Sequence, residues 1–203
     1  MSKPRKVFLA IIACAVLLFA AACGKDNASF KHGSWNGNTY SSKFLGIKIQ
    51  LDSDWIVTPD EMLTMAFGVS DMSDSNIRSV LDNGRPITEM SALRSDAASI
   101  SITVQDNDTA GVLSKEDFFS EENISRLKAD FEETGSCTVY KATVRFLGKD
   151  TDCINLSYTF TQLNISSCEI IIPVFISHYT AVITFSANNQ TDLAALIGTV
   201  TAI

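Results

Sequence analysis

The feature that most constrains this chain is a set of period-two alternations in its last third. Tyr140, Ala142, Val144 and Phe146 alternate with Lys141, Thr143 and Arg145, Gly148-Lys149 supplies a turn, and Ile154, Leu156, Tyr158 and Phe160 resume the pattern. Two residues is the side-chain repeat of a strand, so these stretches read as an antiparallel pair. Ile170, Ile171, Ile172, Val174, Phe175 and Ile176 are apolar on both alternating sets, the pattern of a strand covered on both faces. Pro173 within it implies a bulge or an edge, and Ala181–Ser186 reads as its partner. A strand buried on two sides needs a layer on each side, which limits the architecture to a sheet flanked by further structure.

The upstream segments supply those layers. Tyr40–Ser42 and Gly46–Leu51 read as a half-buried hairpin around Phe44–Gly46. Pro59 opens a helix running to about Gly68, and Asp74–Leu81 makes a second that ends at Asn83-Gly84. Ile87–Arg94 and Ala98–Asp106 are strands, the latter alternating Ile100, Ile102 and Val104 with Ser99, Ser101, Thr103 and Gln105. Ser114 with Asp117 forms a capping box, and Ile124, Leu127 and Phe131 at helical spacing predict the longest helix over Lys115–Thr134. A last helix, Leu193–Thr199, packs on the sheet. The expected fold is α+β, a mainly antiparallel β-sheet flanked by helices. With 203 residues, 46% hydrophobic and 19% charged, residues 39–203 suffice for one domain with a core of its own.

The N-terminus carries an address. Lys3, Arg5 and Lys6 precede the apolar run Val7–Phe19, and Ala20, Ala21 and Ala22 precede Cys23; this is the layout of an export signal. Val7 to Cys23 as a helix is about 25 Å long, short of the roughly 30 Å of a hydrocarbon core. Residues 1–22 therefore read as a signal peptide. The run Ala20-Ala21-Ala22-Cys23-Gly24 resembles the bacterial lipobox, which implies diacylglycerol on Cys23 (palmitate-type acylation) before cleavage. Ala20 stands where that pattern usually has Leu, and Ala20-x-Ala22 also suits ordinary signal peptidase, so the same bond can be cut without lipid. Residues 23–38 read as the lipidated N-terminus and a tether, since Gly24–Asn38 is rich in Gly, Asn and Ser without periodicity; its coil reach is about 20 Å.

The full chain has 16 Lys and Arg against 23 Asp and Glu, a net charge of -7. Removing residues 1–22 takes away three basic residues and no acidic one, which leaves 13 against 23, or -10. Such a surface has no electrostatic footprint for nucleic acid. Nor should it adhere as a whole to anionic headgroups, so the anchor is expected to hold it at the membrane.

Trp35-x-Gly37-x-x-Tyr40-x-Ser42-x-x-Leu45-Gly46-Ile47-x-Ile49-x-Leu51-x-x-x-Trp55 resembles the opening of a large group of uncharacterised Gram-positive bacterial lipoproteins with a PsbP-like fold. Val144-x-Phe146-Leu147-Gly148-Lys149 and Ile183-Thr184-Phe185-Ser186 agree with it. The resemblance implies a helix-flanked antiparallel sheet, an α/β/α sandwich, and brings no catalytic or metal ligands with it.

Among chemistry-bearing residues, His32 lies in the tether and His178 at a strand end, with no further ligand at zinc spacing. Cys137, Cys153 and Cys168 are odd in number; with Gly148-Lys149 as the turn, Cys153 falls opposite Val144 and Cys137 opposite Phe160, so free thiols are expected. Gly68-Val69-Ser70-Asp71 lacks the second glycine of a nucleophile elbow. Asp106-x-Asp108-x-Ala110-Gly111 with Asp117 partly mimics a calcium loop but substitutes Ala at one ligand and Asp for the bidentate Glu. Trp35, Tyr40 and Trp55 read as anchors of the first hairpin, with a ligand groove as the other possibility.

No catalytic set, cofactor site or metal site is expected. The reading is a lipid-anchored extracytoplasmic module at the cell membrane, partnered by the membrane through its anchor and by another envelope protein or a small ligand. The alternative is an extracytoplasmic enzyme whose carboxylate or thiol site gathers residues distant in sequence. Replacing the anchoring residue, Cys23→Ala, is expected to release the domain into the medium or leave an unprocessed precursor; cell fractionation checks this, and a processed form still wholly on the membrane would be the opposite result.

Overall fold

The computed structural model describes residues 29–110, 114–132, 135–160 and 165–203. The signal segment and Cys23 lie outside them. Among the described residues the β-branched and aromatic runs build eleven strands: β1 Ser34–Asn36, β2 Thr39–Ser42, β3 Ile47–Gln50, β4 Trp55–Val57, β5 Ile87–Arg94, β6 Ser99–Asp106, β7 Gly135–Phe146, β8 Lys149–Phe160, β9 Ile165–Ile176, β10 Tyr179–Ala187 and β11 Val200–Ala202. The helices are α1 Asp60–Phe67, α2 Asp74–Asp82, α3 Asn107–Ala110, α4 Lys115–Phe118, α5 Glu121–Glu132 and α6 Gln190–Ile197.

The α+β expectation holds, with two antiparallel sheets where one was foreseen. The larger has seven strands in the order β4-β5-β6-β10-β9-β8-β7, and the smaller has the order β1-β2-β3-β11. The C-terminal residues after α6, which no pattern marked, form β11 and pair with β3, Val200 opposite Ile49. Three residues are too few to show periodicity, and the partner strand is far away in sequence.

Both faces of the large sheet are covered, as the doubly apolar β9 requires. On one face Ile100, Ile102, Ile172, Ile183 and Phe185 meet Ile77 and Leu81 of α2, Leu193 and Ile197 of α6, and Tyr40, Ile47 and Ile49 of the small sheet. On the other, Ile154, Leu156, Tyr158 and Ile171 meet Phe118 of α4 and Leu127 and Phe131 of α5. β7 changes sides along its length. Val139 packs under α5 while Phe146 joins the opposite cluster, so Tyr140, expected among the buried set, is 47% exposed.

Three local readings are corrected. The β7–β8 turn consists of Leu147 and Gly148, with φ of 49° and 74°, the positive pair that a two-residue primed turn needs. Moving the turn one residue earlier shifts the register by two: Cys153 faces Ala142 and Cys137 faces Tyr158. The expected long helix is broken, because the Ser120 hydroxyl donates to the Asp117 carbonyl (2.8 Å) and accepts from the Asn123 N–H (3.2 Å), closing α4 and capping α5. Finally, residues 29–38 of the expected tether belong to the folded body. Phe30 is 1% exposed and stacks against Phe44 and Tyr179 at 5.0 and 6.0 Å between ring centres.

Gly135 marks the closest backbone approach between β7 and β8. A Cβ there would sit 2.1 Å from the Thr159 carbonyl oxygen and 2.9 Å from its carbon, atoms that cannot rotate away. Gly135→Ala is expected to destabilise the domain by about 2 kcal/mol or more, within the range for forced overpacking; urea unfolding checks it, and an unchanged midpoint would contradict this packing.

Candidate functional site

The first candidate is built around Glu89. A bulge between Thr88 and Met90 leaves the side chain of this strand residue inside the core, 1% exposed. Its Oε1 accepts from the Tyr40 hydroxyl at 2.5 Å and from the Gly33 N–H at 3.0 Å, and its backbone carbonyl lies 3.0 Å from His32 Nε2. Oε2 has no partner among the described residues. Burial drives the Glu89 carboxyl above the usual range even though Tyr40, His32 and Gly33 favour its charged form, and burial with the Glu89 charge pushes the Tyr40 phenol up. Gly33 is required here because a Cβ would strike the Tyr40 ring. The cluster locks the N-terminal segment and the small sheet onto β5. His32 and Tyr40 thus serve docking, and Trp35 packs on Tyr40 at 5.3 Å while Trp55 lies under the Arg94 guanidinium at 5.4 Å.

The second candidate is a cleft where two strands separate. β8 pairs with β9 from Phe160–Ile165 down to Ile154–Ile171 and no further. The next residue but one on β9 is Pro173, which has no N–H to donate, so beyond Ile171 that side of β9 is an edge, as the proline implied. Lys149–Asp152 of β8 diverge from it, and the gap of about 260 Å³ is lined by Lys115, Phe119, Lys149, Asp152, Pro173 and Phe175 among others. Asp152 bridges Lys115 at 3.2 Å and Lys141 at 3.3 Å, and those bonds, Lys115 first, hold its carboxyl below the usual range. Lys141 also sits 4.9 Å over the Phe119 ring. The arrangement offers cations, carboxylates and an exposed aromatic edge, Phe175, within one opening, which suits a polar partner with an apolar portion.

A third cluster lies at the β9–β10 turn. Ser177 Oγ is 3.1 Å from His178 Nδ1, and His178 Nε2 is 3.8 Å from Asp106 Oδ2. Asp106 is 5% exposed and its carboxyl is raised by desolvation. The residue types are those of a hydrolytic triad. The carboxylate is too far for a hydrogen bond, and its other oxygen accepts the Asp108 N–H at 2.8 Å to start α3. The cleft between β8 and β9 is not lined by these residues.

The remaining sequence candidates are dispersed. Cys137, Cys153 and Cys168 are free; burial pushes the Cys153 thiol up to about 11, which suppresses thiolate chemistry. Asp117 accepts from Ser114 N–H and Oγ in the foreseen capping box, not at a calcium position. Among the described residues no group of three His, Cys, Asp or Glu is placed to hold a metal. Ser136, Cys137, Thr138, Ser157, Thr159 and Ser166 help line a second opening of about 240 Å³ at the far end of β7–β9. Ile56, Met62 and Met65 on β4 and α1 are exposed apolar side chains.

Sequence reasoning missed Glu89 and Glu169. Each is a lone carboxylate inside a strand whose neighbours are apolar, and that mismatch was the available signal. Glu169 stands between Leu156 and Ser186 on the adjacent strands, is 4% exposed, and has an Oε1 without a partner among the described residues.

No family model matches the chain, and no curated protein matches it. Among solved structures it is similar to LpqN, involved in cell envelope biogenesis of Mycobacterium tuberculosis, at 10% identity over 76% of this chain and 82% of that one with a TM-score of 0.35. A superposition at that level carries no functional argument. No helix among the described residues is long and apolar enough to cross a membrane.

Burial raises the Glu169 carboxyl to about 7, against about 4.3 in an unfolded chain. A raised carboxyl favours folding below the unfolded value and loses that advantage as pH rises through the folded value. Stability should therefore fall from about pH 4.5 to 7 by roughly 3 kcal/mol from this group; Glu89 and Asp106, raised too, add to the same slope. Denaturation at pH 5 and pH 8 should show Glu169→Gln with a distinctly smaller loss than the parent, and equal losses would reject the assignment.

Proposed function

We propose that this chain is a lipid-anchored extracytoplasmic accessory module of the cell envelope, held through Cys23 and acting by binding rather than catalysis. The observation that carries the reading is the cleft between β8 and β9: it is formed by the fold itself, through Pro173, and presents charged and aromatic side chains, Lys115, Lys149 and Asp152 beside the rings of Phe119 and Phe175. The lipobox-like run before Cys23 supplies the address, and the helix-covered sheet fits the PsbP-like sandwich that the opening motif resembles. The ligand class is another envelope protein or a small polar molecule with an apolar portion.

The enzyme reading keeps one favourable observation, the buried Asp106 beside His178 and Ser177. The two readings separate experimentally. For binding, Lys149→Glu, at an exposed residue of the cleft lining, is expected in the lipidated protein to abolish co-purification of a specific envelope partner or ligand while leaving the unfolding free energy within about 0.5 kcal/mol of the parent, as for surface changes. Undiminished co-purification would remove the cleft from consideration. Covalent labelling of Ser177 by a fluorophosphonate, lost in His178→Ala, would establish the hydrolytic reading instead.

A further inference from the structure

The charge of this acidic protein is sharply polarised, and the polarity coincides with the point of attachment. Between Ser29 and Leu51 the sequence holds Lys31, Lys43, Lys48 and His32 and not one Asp or Glu, whereas after Leu51 there are nine basic and 22 acidic residues. This acid-free stretch is the segment that folds into β1, β2 and β3. Its apolar side chains Tyr40, Ile47 and Ile49 point into the core, and Lys31, Lys43, Lys48 and Gln50 are exposed. β11, which completes the small sheet, adds no charged side chain. Glu89 meets this segment only from inside the core, on Tyr40 and Gly33; the other acidic groups beside it are Asp74, which accepts the His32 N–H at 3.2 Å, and Asp52 and Asp54 past the end of β3.

The second observation is the length of chain between the anchor and the fold. Ser29 is fixed beside Arg78 of α2 by a hydrogen bond, and Phe30 is buried against Phe44 and Tyr179. From Cys23 to Ser29 is six residues, at most about 20 Å when fully extended. β9 alone, with 12 residues, is about 40 Å long at 3.3 Å per residue. Tyr179, against which Phe30 packs, lies at the β9–β10 turn, so the end of the sheet that carries Ser136, Ser166 and Ser167 is on the order of 30 Å further from the attachment point.

From these two observations we infer that the small sheet β1-β2-β3-β11 is a membrane-facing surface: its lysines rest against the anionic headgroups of the bilayer that holds the acyl chains, and the hydroxyl-lined end of β7–β9 points away from it. The inference rests on lipidation of Cys23. Acyl chains supply the retention, and each lysine within a Debye length of an anionic surface adds electrostatic attraction that salt screens. The rest of the domain, with its excess of carboxylates, is repelled from the same surface, so charge sets the orientation that the short connection permits.

The test is lysine footprinting of the full lipidated protein by an amine-acylating reagent, read by mass spectrometry, in phosphatidylcholine vesicles with and without 30% phosphatidylglycerol (about one headgroup in three charged, a level that gives a substantial surface potential). Lys43 and Lys48 are expected to react at least threefold more slowly on the anionic vesicles, with the difference shrinking in high salt, while Lys128 and Lys141 keep their rates. Uniform rates, or protection at Lys128 instead, would overturn the orientation. The mass of the N-terminal peptide from the same sample separates the two claims: a bare Cys23 refutes anchoring, whereas an acylated Cys23 with unprotected Lys43 and Lys48 refutes only the orientation. Lys43→Gln with Lys48→Gln should equalise the reactivity of Lys31 on the two vesicle types.

Discussion

The structure depends on three strands, β8, β9 and β10, that are apolar on both faces. Ile154, Leu156, Ile171 and Val182 look one way and Ile170, Ile172, Ile183 and Phe185 the other. Exposing either set would forgo roughly 1.5–3 kcal/mol for each large side chain, so the chain has to bring a layer to each side. It meets that need unequally. One face receives α2, α6 and a whole second sheet, and the other receives α4 and α5 over β7–β9.

The unequal cover explains why charged groups end up in the core. Docking the small sheet requires the N-terminal segment to be pinned, and Glu89 does this by taking hydrogen bonds from Tyr40 and Gly33. A carboxylate that buried is costly unless its oxygens are satisfied, and only one of them is. Glu169 carries the same cost, with no hydrogen-bond partner at Oε1 among the described residues. Such groups are retained where a site or a fixed geometry needs them, and here one fixes geometry while the other leaves a protonation event near neutral pH inside the sheet.

Pro173 couples the sheet to the candidate site. Its missing donor ends the β8–β9 ladder, and the divergence that follows opens the cleft beneath Lys115 and Phe119. The same end of the sheet holds the β9–β10 turn, Tyr179 and Phe30, so the cleft and the first described residues share a pole.

The strand alternations, Pro59, Gly68, Asn83-Gly84 and the Ser114–Asp117 box were legible in the chain because each is a local signal, set by side-chain period or by backbone conformations that few residues tolerate. The edge implied by Pro173 was legible for the same reason. Register was not, since Leu147-Gly148 and Gly148-Lys149 as the turn differ by two residues of register, which leaves every side chain on the same face, so the alternation of the strands fits both. Residues 29–38 read as tether because an isolated Phe30 has no periodicity; only Phe44 and Tyr179, brought together by tertiary packing, make its burial favourable. The sequence by itself determined the α+β class and the polarity of charge along the chain. Tertiary structure decided the second sheet, the cleft and the buried carboxylates, because each depends on contacts between residues far apart in sequence, where no local pattern reaches.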